Sequence, residues 1–110
     1  MQFDAYQQQA LTTLHRHPDQ LMDTTISAMG ISGEAGEVLE KWKKIVAYRE
    51  GVITENDLEE LSKELGDVLW YIAVFAHHLG LSLDDIAKQN LAKLASRKAR
   101  DVIKGQGDNR

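Results

Sequence analysis

Two apolar stripes of helical period, separated by a break at Gly51, set what this chain can fold into. Ile31, Ala35, Val38, Leu39, Trp42, Ile45 and Val46 form the first. Leu58, Leu61, Leu65, Val68, Leu69, Ile72, Phe75, Ala76 and Leu79 form the second. Two such stripes bury each other best when their helices fold back as an antiparallel hairpin. Each helix also carries two carboxylates three residues apart: Glu34 with Glu37, and Glu64 with Asp67. At about 100° per residue, Glu34 and Glu37 lie roughly 80° and 140° from the centre of their stripe, and Glu64 and Asp67 roughly 90° and 150°, in the same sense. Equal offsets of equal sense bring both pairs to one side of the hairpin. Both pairs also lie about 15 residues from Gly51, so their heights agree.

Four acids on one patch repel unless a cation joins them. An all-oxygen set of carboxylates suits Mg²⁺, with Mn²⁺ as the alternative, and the absence of cysteine removes the usual route to zinc or a softer metal. With 17 Asp and Glu in 110 residues, one such pair alone reads as a solvated helix edge. Two pairs matched in offset and height favour a site, though geometry leaves both readings open.

The strings Gly33-Glu34-Ala35-Gly36-Glu37-Val38-Leu39-Glu40 and Glu64-Leu65-Gly66-Asp67-Val68-Leu69-Trp70-Tyr71, followed by Asn90-x-x-Lys93-x-x-x-Arg97, resemble the MazG-like, all-α nucleotide pyrophosphohydrolases. The resemblance runs over most of the chain. It implies metal-dependent hydrolysis of a nucleoside triphosphate to the monophosphate and pyrophosphate, in control of the nucleotide pool. Glu34, Glu37, Glu64 and Asp67 would then hold Mg²⁺. Glu34 and Glu37 would also be catalytic, with Glu37 the first choice to orient or deprotonate the attacking water. Tyr71 would contact the substrate, and Asn90, Lys93 and Arg97 would hold the outer phosphates. Lys98-Ala99-Arg100 stands where many relatives have tyrosine and proline, which leaves the exact phosphate contacts open. Two rivals remain: a related pyrophosphatase of dUTP, dCTP or phosphoribosyl-ATP, and a non-catalytic helical dimerisation module.

The rest of the chain fits one all-α domain of about four helices over residues 1–104, with a flexible, polar, glycine-rich tail at 105–110. The first helix is expected over residues 3–16, with Asp4 as its N-cap and His15 and His17 as surface groups before Pro18. The second is expected over 19–49, capped by Asp19; Gly30, Gly33 and Gly36 mark a close approach or a kink. Lys41 and Lys44 project near the Glu34 face, to pair with acids or, for Lys44, to reach phosphate. Thr54 with Asp57, or Asn56 with Glu59, caps the third helix, which runs to His78. His77 and His78 read as charges favoured at a helix C-terminus. Val68–Ala76 is apolar all round, which predicts burial in a dimer interface and a four-helix-bundle-like homodimer or tetramer. Trp70 reads as core. Ser82 and Asp85 open a fourth helix whose Ile86, Asn90, Lys93 and Arg97 share a face. A net charge of −4 excludes a general nucleic-acid binder, and the longest apolar run, nine residues, is far short of the ~20 that span a bilayer. Lack of cysteine and of a signal-like start points to the cytoplasm.

Overall fold

The computed structural model describes all 110 residues, as four helices and no strand. They are α1 (Phe3–Leu11), α2 (Gln20–Arg49), α3 (Glu55–His78) and α4 (Leu83–Ala99). The all-α expectation holds. At 30 residues, α2 runs for about 45 Å, the full length of the longest axis of the molecule. It passes through Gly30, Gly33 and Gly36 without a break. No helix is long and apolar enough to cross a membrane.

The hairpin of α2 and α3 is pinned at both ends. At the turn, Glu50 and Gly51 both take positive φ, and the Gly51 N–H donates to Ile45 O, which closes α2. Thr54 and Asp57 form a reciprocal capping box at the start of α3. Asp57 also takes the Arg49 guanidinium at 2.6 Å, so one carboxylate caps α3 and ties it to the last turn of α2. At the far end, His78 does not extend into solvent as a terminal charge. Its ring is buried against α2, with Nε2 3.3 Å from Asp23 Oδ2 and Nδ1 2.9 Å from Ser27 Oγ.

The short α1 ends at Leu11, not at 16. Thr12 and Thr13 turn their hydroxyls back onto Gln9 O and Ala10 O, an alternative to further helix. Asp4 is not its N-cap; Gln2 precedes the helix and contributes no side-chain bond. Asp4 instead accepts from Ser82 Oγ at 2.8 Å and Asp84 N at 3.0 Å, so it helps cap α4. One turn on, Gln7 is 4 % exposed. Its amide donates to Ala73 O and Leu81 O, and its carbonyl accepts from Leu83 N. A single side chain thus ties α1 to α3, to the α3–α4 turn and to α4. Ala10, Ala73 and Leu83 form the small core at that junction, with Tyr6, Trp70 and Ile72 packed on it. Trp70 is anchored there by its indole N–H, which donates to Ala10 O and Thr13 Oγ1.

The apolar middle of α3 is covered largely within the single chain. Ala73, Val74 and Ala76 are buried. Leu58, Leu65 and Leu69 on α3, and Leu39, Trp42 and Val46 on α2, stay exposed.

The Asp57 carboxyl lies well below its ordinary range, first because Arg49 donates to it and then because Thr54 N does. Asp4 is lowered too, by Asp84 N and then Ser82. A carboxyl depressed in the folded chain lets the unfolded chain bind its proton first as pH falls. The stability these two contribute is therefore complete above about pH 4 and lost as pH drops through their folded-state values. Thermal melts between pH 7 and pH 3 should show Asp4→Asn and Asp57→Asn lowering Tm at pH 7 and flattening the acid-side fall. Gln7→Leu, which removes the side-chain partner of three backbone groups, two of them at buried contacts, should cost about 1–3 kcal/mol in urea unfolding.

Candidate active site

The hairpin brings carboxylates from its two helices together, although Leu39, Trp42 and Val46 of the first apolar stripe and Leu58, Leu65 and Leu69 of the second stay exposed rather than facing each other. Oxygens of Glu34, Glu64 and Asp67 all lie within 4.8 Å of one another. Glu34 and Glu64 are half-buried and Asp67 is exposed. Glu37 is not in this triple: it sits one turn further along α2, exposed, near enough for its charge to act on Glu34. Loss of water contact raises the Glu34 carboxyl above its ordinary range, and Asp67, Glu64 and then Glu37 push it the same way. Crowded acids held by two paired helices are the donor set expected of a hard divalent cation.

Side chains around the triple sort into three groups. Lys41 lies 3.7 Å from both Glu60 and Glu64, so it balances one edge of the acid patch. Lys44 pairs with Glu40 and lines a separate cavity with Arg49, Asn56 and Asp57 near the hairpin turn. From α1, Tyr6 faces the acids: burial raises its phenol, and the Asp67 charge adds to the rise. Tyr6 has no motif to mark it in the sequence, because its relation to Asp67 arises only when α1 docks.

Tyr71, one turn after Asp67, lies against Gly30. A Cβ at that glycine would meet the Tyr71 ring at 2.2 Å, so Gly30 exists to admit the ring. Tyr71 in turn meets Trp70 edge to face, with centroids 4.9 Å apart. Both aromatics line a cavity of about 200 Å³ with Asp23, Ile26, Ser27 and Val74, and with Thr13, Leu14 and His15 from the segment after α1. The buried Ser27, His78 and Asp23 beside it have the residue types of a nucleophilic triad. Ser27 Oγ is already bonded to Thr24 O and His78, and the residue is 3 % exposed, so it serves as a tether.

Asn90, Lys93 and Arg97 share a face of α4, as their spacing predicts. Asn90 and Lys93 line a shallow open depression with Ile86 and Gln89. Residues 105–110 fold back over the same helix. Asp108 Oδ1 is 3.1 Å from Lys93 Nζ and 3.3 Å from Arg97 Nη2. Arg97 also donates to the Gly107 and Asp108 carbonyls and is 4 % exposed. Arg110 fastens the tail through Val102 O, Ile103 O and Gly107 O. The two cations hold the Asp108 carboxyl below its ordinary range. Lys93 and Arg97 therefore already bind an anionic oxygen, one supplied by the chain itself.

The Gly30–Tyr71 contact has no slack. Gly30→Ala should cost about 1–3 kcal/mol by overpacking and turn Tyr71 out of the groove, which near-ultraviolet circular dichroism of the Trp70–Tyr71 pair will register as lost signal.

No solved structure matches this chain. It is 47 % identical over 92 residues, 84 % of its own length and 81 % of the relative's, to the Gene 37 protein of Mycobacterium phage L5. The MazG nucleotide pyrophosphohydrolase domain family matches residues 23–101, a span that holds all four acids of the two motifs as well as Tyr71, Asn90, Lys93 and Arg97. The chain belongs to the MazG nucleotide pyrophosphohydrolase domain family.

Proposed function

We propose that this protein hydrolyses nucleoside triphosphates, ribo or deoxy, to the monophosphate and pyrophosphate. The observation that carries this is the convergence of Glu34, Glu64 and Asp67 from two different helices onto one point. A divalent ion, Mg²⁺ before Mn²⁺, would be held by those three and would supply Lewis-acid polarisation of the α-phosphate and offset of its charge. Glu37 is the exposed carboxylate nearest this set in sequence and is not committed to it. It takes a proton from the attacking water and orients the oxygen toward phosphorus. Water oxygen bonds to the α-phosphorus, the bond to the bridging oxygen breaks, and pyrophosphate leaves with that oxygen. Lys93 and Arg97, with Asn90, hold the outer phosphates by charge-assisted hydrogen bonds in place of the Asp108 carboxylate. Lys44 would reach the same phosphates only by leaving Glu40.

Control of the nucleotide pool in the cytoplasm is the role this chemistry suits. We infer further that the working form is a homo-oligomer. Leu39, Trp42 and Val46 of α2 are 67, 43 and 49 % exposed, more apolar surface than a helix of a monomer leaves to water. Static light scattering should give a multiple of the 12.4 kDa chain mass, and Leu39→Glu should return it to the monomer.

Pyrophosphate release from each common NTP and dNTP, with Mg²⁺ and with EDTA, tests the activity. Release is expected with Mg²⁺ alone, and Glu34→Gln should lower kcat/KM by about 100-fold or more. Absence of release across the panel from a folded oligomer would favour the dimerisation module. The raised Glu34 carboxyl adds a sign. Between the unfolded carboxyl value near 4.3 and the raised folded one, the folded chain binds more protons, so this group gains stability as pH falls into that window and costs stability above it. Metal-free protein at neutral pH should therefore melt higher as Glu34→Gln, whereas Mg²⁺ should raise the Tm of the wild type and not of the variant.

A further inference from the structure

We propose that the segment after α4 is a built-in competitor for the substrate: Asp108 occupies Lys93 and Arg97 in the free protein, and a polyphosphate must displace it to bind there. This rests on the hydrolase reading for the identity of the displacing anion. The contact between the tail and the two cations does not depend on it.

The tail is a closed loop with its own fastenings. Asp101, at a φ of 57°, and Gly107, at 79°, turn the chain back onto α4. The Arg110 guanidinium donates to Val102 O at 2.9 Å, to Ile103 O at 2.7 Å and to Gly107 O. Arg100, the C-cap of α4, donates to Arg110 O at 2.7 Å. Gly105 passes so near that a Cβ there would meet Arg110 Cδ at 2.5 Å. The loop presents one carboxylate to the cation face of α4. Asp108 Oδ1 lies 3.1 Å from Lys93 Nζ and 3.3 Å from Arg97 Nη2.

Two observations mark Asp108 as a stand-in for a better ligand. Arg97 is 4 % exposed, yet every bond it makes to the tail falls on one nitrogen, Nη2. Its Nε is buried without a partner. A guanidinium presents a planar fork that suits two oxygens of one phosphate, and a buried charged donor left unpaired is costly. A phosphate that takes both Nη2 and Nε supplies the bond the tail leaves unmade. The second observation is that the Asp108 side chain is 80 % exposed. Water screens its pairing with both cations, so it leaves at small cost. Such a contact holds the cations while no ligand is present and yields to an anion with more charge and more acceptor oxygens. The depression lined by Asn90 and Lys93 stays open beside the tail, which gives that anion a way in before Asp108 has gone.

The test uses inorganic tripolyphosphate, which needs no turnover, titrated calorimetrically into metal-free protein at low ionic strength. Asp108→Asn should bind it about three- to tenfold more tightly than the wild type. Asp101→Asn removes the same charge from an exposed residue of the same segment that has no bond to Lys93 or Arg97, and asparagine tolerates its positive φ. Its Kd should stay near that of the wild type. In ¹⁵N-labelled wild type, saturation with tripolyphosphate should collapse the heteronuclear NOE of the Gly105 and Gly107 amides as the segment is released. With nucleoside triphosphate and Mg²⁺, Asp108→Asn should lower KM by the same factor and leave kcat unchanged. An Asp108→Asn protein that binds tripolyphosphate no tighter than the wild type overturns the proposal. So does equal tightening by Asp101→Asn, a tail that keeps its NOE at saturation, or no binding of tripolyphosphate at all. Release of the tail without any hydrolysis would sink the hydrolase reading and leave the competitor standing. Hydrolysis with an unchanged KM in Asp108→Asn would do the reverse.

Discussion

Everything in this molecule depends on α2 and α3 lying antiparallel in a fixed register. Neither helix alone presents a site: Glu34 needs Glu64 and Asp67 from across the pair. A slip of one turn along the axis, about 5.4 Å, would exceed the 4.8 Å within which those oxygens now lie. The register is held at its two ends by different chemistry. Near the turn it is a capped ion pair, Asp57 with Arg49 and Thr54. At the far end it is a buried histidine clasped by Asp23 and Ser27. Between them Tyr71 seats on Gly30, a contact that tolerates no other residue on α2.

The second layer, α1 with α4, is joined to the hairpin by polar side chains more than by apolar area. Only Ala10, Ala73 and Leu83 are buried in the shared core. Gln7, Asp4 and the Trp70 indole supply the fixed geometry. Small buried residues let backbones come close, and that closeness is what allows one glutamine to reach three backbone groups on other elements. Tyr6 is thereby brought to the acids and Trp70 to the wall of the cavity between α2 and α3.

What the sequence made legible follows from periodicity and local chemistry. Thr54, Asp57, Ser82 and Asp19 announce helix starts because a cap needs only neighbours three residues away. Glu34, Glu64 and Asp67 were readable as a group because rotation about a helix axis is fixed by counting. Counting also places Glu37 with them; the structure leaves it exposed, one turn along α2 from the triple, although its offset is no larger than that of Asp67, so rotation about the axis alone does not separate the two. Asp4 read as a cap and is one, for the wrong helix: the sequence could not say that Ser82 would lie against it. His78 next to His77 at a helix end looks like a surface charge until α2 presents Asp23 and Ser27. The polar tail carries no motif that names a partner; its carboxylate at Asp108 finds Lys93 and Arg97 only in three dimensions.

The Gln7 latch also sets the range over which the fold must be closed. Contacts across the α2–α3 hairpin close a short loop around Gly51, whereas Gln7 must find partners 66 to 76 residues away. Loop closure of that span costs more entropy than local pairing does. The acid patch therefore depends on shorter-range contacts than the docking of α1, which fixes the Trp70 indole. A nine-residue helix whose buried residues are Gln7 and Ala10 has little apolar area to hold it, so local opening that detaches α1 leaves the hairpin paired. Detachment of α1 would free the Trp70 indole and carry Tyr6 away from Asp67 while the paired acids of the hairpin stay together.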